Sequence, residues 1–244
     1  MNKKDREKDL FAILKGVMGS ALSLIPPLGQ MCACYDAFNR SKFERNVTEV
    51  IKLLKDKVNN PSALFSDVWC KSEEGQKFCN KVLDAAIDDQ LADKQELFVN
   101  ALINGIINKE LAYFERLKFV DILRHLSLAS LMILADMQPL YENKIKRPNR
   151  SNSNLDINPL VDIDKIAQKL SHKYHPFLIN SAIYEMESQG LFSNIHEWHK
   201  TTNGTYVSGS GFATALAYTD FTCRFVEFIT LKENLKLTED NNNY

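Results

Sequence analysis

The 244 residues are 45% hydrophobic and 25% charged, with 30 Lys+Arg against 31 Asp+Glu and a net charge of −1. Such a balance excludes a disordered chain and gives no bulk attraction to nucleic acid or to an anionic lipid surface. Nine glycines and seven prolines favour long helices over a turn-rich β fold, in one large or two small domains.

The N-terminus sets Lys3, Lys4, Arg6 and Lys8 before an apolar run, but Asp5, Glu7 and Asp9 are interleaved and Lys15 interrupts it. This does not read as a signal peptide, and no run reaches the roughly 20 apolar residues of a simple spanning helix. Leu10 to Ile25 recur at helical spacing, and Leu14, Val17, Met18, Leu22 and Ile25 make much of its apolar surface. Pro26-Pro27 and Gly29 turn the chain into a second apolar stretch, Met31 to Phe38. Two readings of Phe11 to Phe38 stand: a helical hairpin buried in a bundle, or a membrane-seeking hairpin with small residues on its helix interface.

An amphipathic helix follows from about Phe43 to Val58, with Val47, Val50, Ile51, Leu54 and Val58 as its stripe. Ser62 is placed to cap a short helix with Leu64, Phe65, Val68 and Trp69. A further helix spans about Glu73 to Leu91, and Asp93 with Glu96 has the form of a capping box opening the next. Lys109 to His125 continues in helical register. The five cysteines, Cys32, Cys34, Cys70, Cys79 and Cys223, are odd in number and scattered, so free and mostly buried thiols are expected.

Leu126 to Ile229 has the order of a winged helix with an insertion. Ser127 opens a helix carrying Leu128, Leu131, Met132 and Leu134. Gln138 to Pro159 is polar, with Pro139, Pro148 and Pro159 and the cations Lys144, Lys146, Arg147 and Arg150. Asp164 opens a second helix, and a third starts at Pro176 and stops at Gly190. A Gly- and Thr-rich hairpin and a closing helix from about Phe212 complete it. The expected fold is therefore mainly α: a helical domain over 1–111, then a winged-helix-like domain over 112–244 with a small β-hairpin and a polar insertion at 138–160.

The stretches "LFVNALINGIINKE", "FERLKFVDILRHLSLASLMILADM" and "EMESQGLF…TALAYTDFTCRFVEFI", with the Gly- and Pro-containing hairpin from Gly16 to Gly29, resemble the bacterial abortive-infection alpha family. The resemblance covers most of the chain and rests on apolar patterns. It implies a helical front half, a winged-helix-like end and a role in defence against phage, and it carries over no catalytic residues.

A base-reading helix wants Arg, Lys, Asn or Gln toward the groove and several cations toward phosphate. The third helix has neither Lys nor Arg and carries Glu185 and Glu187, so Asn180, Ser181 and Tyr184 are its only candidate readers. Lys144, Lys146, Arg147, Lys165, Lys169 and Lys173 are the cations placed to touch a phosphate backbone nearby. Protein contact fits better, through Phe177, Asn180, Ser181 and Tyr184. Phe177, Tyr184 and Phe192 would be core residues unless exposed.

Other chemistry is thinly signalled. His172-x-x-His175 is disturbed by Pro176, which pushes His175 out of the α region, and His196-x-x-His199 precedes the hairpin. Asp84 and Asp88 share a helix face, Cys32-x-Cys34 lies in an apolar run, and Gly209-Ser210-Gly211 precedes a helix without a P-loop lysine. Each has a plainer reading as solvated charge, capping imidazole, buried thiol or hairpin glycine.

The sequence thus points to a non-enzymatic, cytoplasmic interaction protein with no cofactor or metal, whose partner is another protein or a second copy. Two alternatives stay open: a membrane-disrupting effector acting at the inner membrane through residues 11–38, and a DNA-binding regulator.

Overall fold

The computed structural model describes residues 37–89, 91–145, 160–200 and 206–231. The hairpin residues Leu14, Val17, Met18, Leu22 and Ile25 lie outside them, as do Lys146 and Arg147. The protein is mainly helical and divides into two compact units. Described residues up to Arg124 and from Phe228 onward form the first, and His125–Glu227 the second.

In the first unit, α1 (Ala37–Lys57) buries Val47, Val50, Ile51 and Leu54 on one side, with Val58 just beyond its end. α2 (Pro61–Ser66) is capped by Asn60, whose Oδ1 accepts from Ala63 N, so the cap precedes the Ser62 expected from sequence. Pro61 explains the shift: it fills the first helical position, where its missing N–H costs nothing. Asp67 caps the single turn α3 (Val68–Lys71), and Ser72 caps α4 (Glu73–Asp88) through Gly75 N.

The expected capping box at Asp93 is not formed. α5 (Ala92–Ile107) starts after Leu91, which supplies no side-chain cap. Asp89 arranges the entry instead: its Oδ1 accepts from Leu91 N, and its carbonyl accepts from Gln95 Nε2 at 2.8 Å. These contacts, two and six residues apart, replace the expected box.

α5 buries Phe98, Val99, Ala101, Leu102, Ile103 and Ile106, which is the pattern of a central helix. The chain breaks at 108–112 before α6 (Tyr113–His125), so Lys109 does not continue the helix. Phe119 of α6 meets Phe228 at 5.3 Å between ring centroids, and Phe78 meets Phe228 at 6.3 Å.

In the second unit, Ser127 caps α7 (Leu128–Ile145) by accepting from Ser130 N. This helix runs past Pro139 into the expected insertion, because burial of Leu134, Met137 and Tyr141 outweighs the one helix bond that a proline removes. A short strand that the sequence did not suggest follows the polar stretch. β1 (Leu160–Asp162) leads directly into α8 (Ile163–Leu170), which buries Ile166 and Leu170.

After α9 (Pro176–Ser188) come β2 (Phe192–Lys200), β3 (Tyr206–Tyr218) and α10 (Asp220–Ile229). The strands form an antiparallel sheet in the order β1-β3-β2, with Leu160 opposite Ala217 and Phe192 opposite Tyr218. The closing helix therefore begins at Asp220 and not near Phe212. Residues 206–218 are held in strand pairing, and Thr219 starts the helix by accepting from Thr222 N. Gly209-Ser210-Gly211 lies inside β3 and so precedes no helix, which removes the phosphate-cradle reading. His196 and His199 lie within β2, as part of the hairpin.

No described helix is long and apolar enough to cross a membrane.

Candidate functional site

α9 leaves one face open to solvent. Pro176 holds His175 extended (ψ 138°), and His175 caps the helix by accepting from Phe177 N on Nδ1 at 3.2 Å. Ile179, Ala182, Ile183 and Met186 fall at helical spacing and are buried. The opposite face must then carry Phe177, Asn180, Ser181, Tyr184 and Ser188, and all five are exposed. Phe177 is 78% and Tyr184 75% exposed, with Leu178 beside them at 39%. Phe192, the third aromatic in question, is core.

The C-terminal end is a Schellman turn. Gly190 takes φ +77°, its N–H donates to Glu187 O at 2.8 Å, and Leu191 N donates to Met186 O at 3.1 Å. No side chain is comfortable at that φ, and glycine is what the sequence supplies.

Two polar clamps fix α9 against α7. Near its C-terminal end, Glu185 turns back to the start of α7. One carboxylate oxygen accepts from Ser127 N at 2.7 Å, and the other accepts from the hydroxyls of Ser127 and Ser130. An anion there meets unpaired N–H groups and the positive end of the helix dipole. Ahead of α9, Asp136 of α7 accepts from Lys173 Nζ and from Tyr174 Oη, both at 2.7 Å. The Lys173 hydrogen bond holds the Asp136 carboxyl below the usual carboxylate range, with Tyr174 adding to it, against partial burial.

These clamps revise the electrostatics expected of the helix. Glu185 spends its charge on α7, so the exposed stripe is neutral: two aromatics, an amide and two hydroxyls. No Lys or Arg occurs from Tyr174 to His199. Lys173 is engaged with Asp136. Lys165 and Lys169 are exposed on α8, and Lys144 lies in α7. Of the cations offered as phosphate contacts, Lys165 and Lys169 thus belong to α8 and Lys173 to the clamp, and none of the three lies on α9.

The remaining sequence candidates fare as follows. His172 and His175 are exposed, with His175 serving as a cap. Asp84 and Asp88 are exposed on α4; partial burial and the neighbouring Asp88 raise the Asp84 carboxyl, and Asp88 lies 3.4 Å from Arg124. Among the described residues no group of three His, Cys, Asp or Glu is arranged to hold a metal ion. The clamping roles of Asp136 and Glu185 had no local signal, since their partners lie 37 and 58 residues away.

Comparisons with protein-family models, with curated proteins and with solved structures find no match for this chain.

Proposed function

We propose that residues 125–227 are a winged-helix-like module, with the β2–β3 hairpin as its wing, that binds another protein through the outward face of α9. The protein acts without catalysis, as an interaction component of bacterial anti-phage defence. The observation that carries this reading is the pairing of two large exposed aromatics, Phe177 and Tyr184, on a clamped helix face without a cation.

Aromatic anchors on rigid backbone are what protein interfaces concentrate, because they desolvate much area at little entropic cost. A phosphate-reading face needs Lys or Arg and has none here. The defence setting follows from the family resemblance.

A photo-crosslinking amino acid at position 181, between the two aromatics, tests the reading in bacteria challenged with phage. The expected outcome is one specific crosslinked protein, lost in a Phe177→Ser/Tyr184→Ser chain that still folds. Crosslinking to duplex DNA, or protection against phage that is indifferent to both aromatics, overturns it.

A further inference from the structure

The outward face of α9 is ordered along its length. At about 3.6 residues per turn, Phe177, Ser181, Tyr184 and Ser188 fall within about 60° of one another on the helix circumference. All four are exposed, so they make one stripe from the first turn to the last. Their spacings are four, three and four residues, the same read from either end. Their sizes alternate as ring, hydroxyl, ring, hydroxyl. Reversing the helix keeps the spacings and exchanges the sizes. A second α9 laid antiparallel, with the two-fold axis between Ala182 and Ile183, therefore sets Phe177 opposite Ser188 of the other copy and Tyr184 opposite Ser181. Each ring meets a gap, which is how facing helices interdigitate. A two-fold pair demands this of any surface, because the patch has to fit itself. A stripe shaped for an unrelated protein is under no such constraint.

Charge permits the same pairing. The axis passes close to Glu185, and free carboxylates there would stand near each other across the two copies. Glu185 is instead bound by Ser127 N and by the hydroxyls of Ser127 and Ser130, which leaves the stripe neutral. Ser188 is satisfied within its own helix: its hydroxyl donates to Glu185 O at 2.7 Å, so a ring can cover it without orphaning a donor. Area sets the strength. The exposed parts of Phe177 and Tyr184 come to about 300 Å² per copy, against roughly 800 Å² per partner in a stable complex. Such a contact is weak and reversible.

We infer that α9 pairs antiparallel with α9 of a second copy of this chain, in a weak two-fold dimer. The inference rests on the α9 docking reading and names the chain itself as the partner.

Sedimentation velocity of the full chain, with a reductant present, tests it. Between about 5 and about 200 µM the native chain should pass from monomer toward dimer. Ser181→Glu and Tyr184→Lys should each raise the concentration of half-dimerisation at least about tenfold, because each sets a charge near its own equivalent. Mixed in equal amounts the two variants should pair again, since the new carboxylate then faces the new ammonium. Both positions are exposed, so helical circular dichroism should stay native. A native chain that remains monomeric throughout overturns the inference, as does a mixture that remains monomeric. So does a dimer that both single variants keep at native strength. If a crosslinker at position 181 captures a different protein and not a second copy, the pairing falls and the docking reading stands. If it captures nothing and the chain stays monomeric, both fall.

Discussion

Replacing Phe177 and Tyr184 together by serine should abolish partner capture while leaving the fold nearly untouched. An aromatic side chain presents roughly 200 Å², so the buried fifth to quarter of each is about 45 Å². At roughly 25 cal/mol per Å², that contact is worth about 1 kcal/mol per residue to the folded state. The exposed remainder, about 150 Å² each, represents up to about 4 kcal/mol per residue when a partner covers it. Costs of ordering reduce that figure, but a loss of capture by two orders of magnitude or more is expected. Urea denaturation measures the first quantity, and crosslinking or protection against phage the second. A fully buried ring such as Phe119 gives the contrast, since Phe119→Ala should cost about 3–5 kcal/mol. The reasoning is refuted if the double serine variant loses as much stability as Phe119→Ala, because the two rings would then be core. It is equally refuted if capture survives.

Three further outcomes follow from the packing. Tyr141 is fully buried against Phe192 and Tyr218, and its hydroxyl has no hydrogen-bond partner. Tyr141→Phe should therefore raise stability by about 1 kcal/mol in denaturant titration, and a loss of that size would reveal a partner for the hydroxyl. A Cβ at Gly105 would stand 2.2 Å from Phe78 Cζ and 3.1 Å from Phe228 Cε2. Gly105→Ala gains about 1 kcal/mol in helix propensity and loses about 1–3 to overpacking, so a lower urea midpoint is expected and a higher one would show the rings yielding. Asp136 has its carboxyl pKa depressed by Lys173 first and by Tyr174 as well. Its contribution is fully present above the unfolded value near 3.8 and is lost as pH falls through the folded one. The stability difference between the native chain and Asp136→Asn should thus be constant near neutrality and shrink below about pH 4; a difference that stays constant to pH 2 would show that the clamp does not depend on charge.

What the sequence revealed was set by local chemistry. The α9 boundaries were legible because Pro176 and Gly190 act on their own backbone, and Ser127 opened α7 for the same reason. The exposed stripe of α9 could be named as a face, but its exposure could not, since the same spacing serves a core. Errors arose where a competing partner, near or distant, decided. Asp93 looked like a cap, yet Asp89 and Gln95 arranged that turn. Phe212 looked helical, yet Tyr206–Tyr218 pairs with two strands, one of them a three-residue segment hidden among polar residues.

Phe228 packs on Phe119 and Phe78, and α10's last carbonyls are held by two amides of α5. Asn100 Nδ2 donates to Ile229 O, and Asn104 Nδ2 to Phe228 O and Thr230 O, all at 3.0 Å. The first unit is thus completed by residues that follow α5 by 124 to 129 positions. On the ribosome, residues 125–227 emerge before the front unit can close, which leaves Phe78 and Phe119 waiting for their third ring. A premature stop before Phe228 would therefore leave the first unit without its third ring, and a nascent front unit would depend on chaperones until Phe228 has been made.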